Sequence, residues 1–127
     1  VVPFRNALLL SIATIRAAIE GASLIYAGMH GEDAKNFAYP DCTPSFLGPF
    51  AACVYVGTYH QVQLKIPFQW YMKKDVVALG FKLNVPFKLT WSCYEGEELA
   101  CGKCPTCIER LAAFEANGLA DPIEYTL

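Results

Sequence analysis

No apolar run in this chain approaches the roughly 18 residues that a membrane-spanning helix needs. The longest candidate, Ala7–Ile15, is interrupted by Ser11 and Thr14 and flanked by Arg5 and Arg16. Charge is scarce, with 17% charged residues and a formal net charge of −2. No basic stripe is present, which argues against a direct electrostatic footprint on nucleic acid. Histidine is almost missing: His30 and His60 stand in no ligand or catalytic pattern and read as structural or surface residues. There are no repeats, no low-complexity segments and no secretory signal. With six cysteines and no such signal, a reducing cytoplasmic setting without a membrane partner is expected.

Apolar residues are plentiful. They make up 54% of the 127 residues, enough for one domain or part of one. That share exceeds the usual ~45–50%. It predicts apolar surface covered by something else, either a further segment or a partner subunit such as a second copy in a homodimer.

Cysteine is clustered near the C-terminus. Cys93, Cys101, Cys104 and Cys107 follow the spacing C-x7-C-x2-C-x2-C. Four soft thiolates converging on one point suit structural Zn²⁺ in a tetrahedral site. An iron–sulfur cluster is the alternative, although the C-x3-C-P cysteine of a bacterial ferredoxin is absent after Cys107. Two disulfides are the bland reading, and cysteines so close in sequence pair poorly. Four cysteine ligands leave no open position for water, so the ion would be structural. It would lock the loop from Cys93 to Cys107 and place the last helix.

Along the chain, Leu8, Leu9, Ile12, Ile15 and Ile19 predict a helix over Asn6–Glu20 with one apolar face, stopped by Gly21. Leu24–Met29 predicts a buried strand. His30–Pro44 reads as a long loop at its C-terminal end, where open α/β sheets place ligands. A helix is expected over Ser45–Tyr55, disturbed at its start by Gly48 and Pro49. Gln63–Phe68 reads as a second strand closed by Pro67. Met72–Leu79 reads as a helix ending at Gly80, Val85–Thr90 as an extended approach, and Pro105–Ala116 as the last helix before Gly118. The expected class is α/β with a parallel sheet. An α/β body over residues 1–90 would be followed by a cysteine-held lobe over 91–127.

Four stretches together carry a family resemblance: VPFRNALLLSIA (Val2–Ala13), YAGM (Tyr26–Met29), YPDC (Tyr39–Cys42) and LTWSCYEGEELACGKCPTCIERLAAFEANGLADP (Leu89–Pro122). The chain resembles the C-terminal portion of the 7-cyano-7-deazaguanine synthase family of queuosine biosynthesis. The resemblance implies an adenine-nucleotide-hydrolase-like, Rossmann-like α/β fold with a zinc-binding helical lobe. It implies an ATP-dependent ligase that converts 7-carboxy-7-deazaguanine and ammonia to the nitrile preQ0, with Mg²⁺ accompanying ATP. Nothing here matches the family's S-G-G-x-D-S phosphate loop, so Val1 is not expected to be the natural start, and the chain alone is expected to lack ATP turnover. A deazaguanine enzyme acting on DNA or protein, and a non-catalytic zinc-stapled interaction module, are the competing functions.

The resemblance assigns nucleotide contact to Arg5 and Asn6, at a helix start, and to Lys73. A helix cap and solvated charges are the plain alternatives. It assigns substrate contact to Asp41, whose carboxylate could accept from the guanine-like N1–H and 2-amino edge, and to Tyr39 beside the ring. An Asx turn before Pro44 is the alternative for Asp41. Glu32 and Asp33 could meet Mg²⁺ or polar substrate atoms, or could be a solvated loop pair. Cys42 as a nucleophile is weighed and set aside, since no histidine is placed in sequence to activate it. Trp70, Trp91 and the phenylalanines read as core. No catalytic residue is assigned.

Overall fold

A computed structural model describes residues 2–35 and 38–126; Val1, Asn36, Phe37 and Leu127 lie outside the described residues. The chain divides into two compact units, Val1–Tyr71 and Met72–Leu127. The division falls between Tyr71 and Met72, upstream of the boundary near Trp91 expected from sequence. The second unit therefore includes a helix that the sequence reading placed with the α/β body.

The first unit is a mixed α/β piece. Helix α1 (Arg5–Glu20) ends at Gly21, whose φ of 70° gives the left-handed cap that glycine adopts without strain. Strands β1 (Leu24–Tyr26) and β2 (Gln63–Lys65) pair in parallel, Ile25 opposite Leu64. Gln63 N–H donates to Ser23 O and Ala27 N–H to Lys65 O, each at 2.9 Å. The strands are shorter than the apolar runs predict, at three residues each. Between them lies α3 (Pro44–Gly57), the long connection that a parallel pair requires. Pro44 at its first position costs no hydrogen bond, because that N–H would be unpaired anyway. Gly48 and Pro49 do not break α3: the helix runs through both.

The predicted loop is partly ordered into a short helix α2 (Gly31–Ala34) and a 3-10 turn over Pro40–Cys42. The core of this unit joins Leu10 and Ala17 of α1, Leu47 and Val54 of α3, and Val62 and Leu64 at β2. Each of the large side chains contributes on the order of 1.5–3 kcal/mol by burial.

The packed face of α1 corrects the sequence reading. Leu8, Leu9, Ile12, Ile15 and Ile19 are all more than half exposed, from 54% to 73%. The buried residues are Asn6, Ala7, Leu10 and Ala17, on the opposite side of the helix. The helix has two apolar faces, and the one carrying Ala7, Leu10 and Ala17 is packed. Strand β1 is likewise open: Leu24 and Tyr26 point away from the core, and Ile25 packs against it.

The second unit is built on α4 (Lys73–Lys82) and α5 (Pro105–Glu115). Asp75 accepts the Met72 N–H at 2.8 Å and so starts α4. Gly80 does not end this helix. A Cβ there would lie 2.4 Å from the Phe87 ring, so Gly80 is the small residue that lets the ring close onto α4. Phe87 sits 5.1 Å from Phe114 and 5.3 Å from Phe81, centroid to centroid. The expected extended approach contains a 3-10 turn over Phe87–Leu89, which turns that ring inward. Val77, Ala113 and Phe114 complete this core. Gly118, at φ 67°, follows α5 as predicted. No helix among the described residues is long and apolar enough to cross a membrane.

Candidate functional site

The four clustered cysteines converge in the second unit. Their Sγ atoms lie within 4.8 Å of one another and could hold one metal ion. Cys93 and Cys104 stand 4.0 Å apart, as do Cys101 and Cys107. A tetrahedral ion with metal–sulfur bonds of about 2.3 Å sets its sulfurs about 3.8 Å apart. That span suits a single ion. All six cysteines of the chain are free thiols.

The local backbone is arranged for thiolate. Cys93 Sγ accepts N–H groups from Gly96 at 3.0 Å, Cys101 at 3.3 Å and Glu95 at 3.4 Å. Cys101 Sγ accepts the Cys104 N–H at 3.3 Å. Gly96 has to be glycine, since a Cβ would collide with Leu99 O at 2.1 Å. Gly102, at φ 69°, turns the chain between two ligands. Pro105 opens α5, which starts beside Cys104 and carries Cys107, as the sequence predicts. The Thr106 hydroxyl and nearby N–H groups bring the Cys104 thiol down to about 5. Burial, with Cys104 and Cys93 alongside, pushes Cys107 up to about 12. Four thiols so close cannot all ionise without a cation among them.

Around this centre is a polar lock that the sequence reading did not find. Arg110, 7% exposed, donates to both carboxylate oxygens of Asp121 and to Thr90 Oγ1. Tyr125 OH donates to Asp121 at 2.6 Å. Thr126 N–H donates to Ala100 O, and Ala100 N–H to Glu124 O, tying the C-terminal segment to the cysteine loop. Its only sequence signal was an arginine on the inner face of a helix.

The second cluster lies in the first unit, at the C-terminal end of β1. Asn6, buried at 8%, donates its backbone N–H to Asp41 Oδ2 at 2.8 Å and its Nδ2 to Cys42 Sγ at 3.2 Å. Arg5 precedes it and is exposed. Tyr39, 37% exposed, gives its N–H to Asp33 O at 3.1 Å. Asn6, Asp33, Tyr39 and Asp41 are thus linked in one cluster, with Arg5 next to Asn6 in the chain. Lys73 belongs to the other unit, where it opens α4 and its Nζ lies 2.7 Å from Glu109 Oε2.

Cys42 is 8% exposed; burial, then the charges of Asp33 and Asp41, push its thiol up to about 11. It is a neutral thiol at pH 7, which supports the structural reading over the nucleophilic one. His30 is an addition to the cluster. Its Nε2 lies 3.5 Å from Asp33 Oδ2, and its buried Nδ1 has no partner among the described residues. The i, i+3 spacing of His30 and Asp33 was the available signal.

The family model for the queuosine biosynthesis protein QueC matches residues 1–118. The chain is similar to a 7-cyano-7-deazaguanine synthase of Marinobacter nauticus, 44% identical over 125 residues, covering 98% of this chain and 56% of the relative. It is similar to those of Methanospirillum hungatei, 45% identical with the same coverage, and Thermoplasma volcanium, 41% identical over 98% of this chain and 53% of the relative. The chain spans a little over half the length of these curated relatives. The chain belongs to the QueC family of queuosine biosynthesis proteins.

Proposed function

We propose that this chain is the C-terminal portion of an ATP-dependent 7-cyano-7-deazaguanine synthase. It would carry the substrate loop and a structural zinc centre, with part of the ATP site supplied by polypeptide outside this sequence. The observation that carries the reading is the joining of Asn6 to the Asp33–Cys42 segment at the C-terminal end of a parallel strand, where open α/β sheets bind ligands.

The chemistry sets the demands on such a site. A carboxylate is a poor electrophile, so an oxygen of 7-carboxy-7-deazaguanine has to leave bound to phosphorus from ATP. Ammonia takes its place and gives the amide. A second ATP removes the remaining oxygen and leaves the nitrile. The protein has to hold the acid against the nucleotide and neutralise developing charge, with Mg²⁺ on the phosphates. Arg5 is an exposed guanidinium suited to phosphate, beside Asn6. Lys73 lies in the other unit, paired with Glu109. Tyr39, Asp33 and Asp41 form the substrate side. Cys93, Cys101, Cys104 and Cys107 would hold zinc, which fixes the fold of that unit and takes no part in the reaction.

A titration of the chain with 7-carboxy-7-deazaguanine by calorimetry tests the reading. Saturable one-to-one binding, competed by the nitrile, is the expected result. No binding by this chain, together with no ATP-dependent nitrile formation when it is fused to the unmatched region of the Marinobacter nauticus synthase, would reject it. A metal-stapled interaction module would remain as the alternative, favoured by the exposed Leu/Ile face of α1.

A further inference from the structure

Helix α1 starts without a cap of its own. The residue before it, Phe4, has a left-handed φ of 63° and makes no side-chain hydrogen bond to the helix. No acidic residue stands in its first turn. The free N–H groups and the positive end of the helix dipole are met instead from 35 residues away, by Asp41 Oδ2 on the Asn6 N–H. Asn6 closes the contact from its own side. Its Nδ2 reaches Cys42 Sγ at 3.2 Å and approaches Asp41 O at 3.5 Å. The turn it grips is internally braced: Cys42 N–H donates to Tyr39 O, and Thr43 donates through both its N–H and its hydroxyl to Pro40 O.

We propose that Asn6 and Asp41 form a latch that fixes the Tyr39–Cys42 turn on the N-terminus of α1. Both are then positioning residues, and ligand contact falls to their exposed neighbours Arg5 and Tyr39. This rests on the proposed synthase reading for the identity of the ligand, and narrows it by taking direct recognition of the base away from Asp41. Asn6 is buried, so its amide is spent on the turn. One Asp41 oxygen is engaged on the helix, which leaves the carboxylate poorly free to take two donors from a guanine-like edge at once.

The two roles of Asp41 part under a conservative change. Asparagine caps a helix as well as aspartate does. It cannot replace a carboxylate that accepts two hydrogen bonds from one base edge, because one of its terminal atoms is a donor. The experiment compares the chain with Asp41→Asn, Asp41→Ala and Asn6→Ala, reading amide hydrogen exchange at Asn6 and residues 38–43 and calorimetric affinity for 7-carboxy-7-deazaguanine. The latch predicts a slowly exchanging Asn6 amide in the parent and in Asp41→Asn, and one at least tenfold faster in Asp41→Ala. It predicts affinity within about threefold of the parent for Asp41→Asn, and a loss of tenfold or more for Asp41→Ala and Asn6→Ala. A hundredfold loss of affinity in Asp41→Asn with Asn6 still protected would overturn it and make Asp41 a direct reader of the base. An Asn6 amide equally protected in Asp41→Ala would also overturn it, by showing that Asp41 does not hold the helix. The exchange arm needs no ligand. It therefore decides the latch even where the parent fails to bind the acid, a result that would count against the synthase reading alone.

Discussion

The two units hold themselves together by different means. The first is a packing structure: Leu10, Leu47, Val54, Val62 and Leu64 form its core, and the Asn6–Asp41 latch ties the start of α1 to a turn 35 residues away. It leaves much apolar surface uncovered, including the outer face of α1 and one face of β1. The second has a small aromatic core and adds to it four thiols and a buried ion pair. A two-stranded parallel sheet is a poor scaffold alone, because parallel sheets are ordinarily covered on both faces. A metal-held loop depends on no such area, since ion binding and folding are the same event there. The second unit can therefore draw on an ion where the first has only its packing, although both leave large apolar side chains open, Ile19 and Tyr26 in the first and Leu89 and Tyr94 in the second.

The largest expected effect comes from the thiols. Cys104→Ser, or chelation at neutral pH, should abolish tight metal binding and unfold the cysteine loop. Structural zinc supplies about 10–16 kcal/mol in small metal-folded peptides. Metal content by mass spectrometry and protease sensitivity after Trp91 would register it. Unchanged metal content and thermal stability in Cys104→Ser would refute the site.

Next in size is the ion pair. Arg110→Ala leaves Asp121 buried without its partner and should cost about 3–5 kcal/mol, read as a lowered melting temperature of the second unit. Burial alone would raise the Asp121 carboxyl, yet Arg110, Tyr125 and the Ile123 N–H hold it below its usual value of 3.8. Its folded value is the depressed one, so its contribution is fully present above about pH 4 and is lost as pH falls through the folded value. Asp121→Asn should flatten that acid-side loss, measured by urea unfolding of metal-loaded protein between pH 6 and 3.

A paired substitution on α1 separates its two faces. Leu10→Ala, at a 5% exposed position, should destabilise by about 2–4 kcal/mol. Ile15→Ala, at 61% exposure, should change stability by less than about 0.5 kcal/mol. Denaturant midpoints decide this, and equal losses would place the wrong face inward. The smallest effect is that of the cap: Asp41→Ala should cost about 1 kcal/mol of stability in the first unit, by the same measurement.

These contrasts also locate what could be read from the sequence. The thiol centre was legible because its chemistry is written in residue type and spacing, and Gly102 and Pro105 fall where a turn and a helix start require them. Helices were legible in extent but less so in orientation. On α1 the large aliphatic residues form the obvious stripe, yet the face carrying Ala7, Leu10 and Ala17 packs against Leu47, Val54 and Val62, and helical periodicity alone does not choose between two apolar faces. Gly80 was read as a stop on local propensity, and the decisive contact is a ring from Phe87. The capping of α1 by Asp41 joins residues 35 apart in sequence, and the Arg110–Asp121–Tyr125 lock forms between a helix and the irregular segment after it, so no helical or strand periodicity announces either. Asn6, Tyr39 and Asp41 were singled out through the family resemblance and Asp33 through its place after the strand, whereas their hydrogen bonding to one another, and the entry of His30, came only from the fold.

Amide hydrogen exchange on the metal-loaded chain, repeated after chelation, tests most directly whether the two units rest on separate physics. The account predicts that protection disappears around residues 93–110 and falls across the rest of the second unit. Leu10, Leu47 and Val54 should keep theirs within a factor of about two. Loss of protection in α1 and α3 at the same chelator concentration, or no change around Cys93–Cys107, would contradict it.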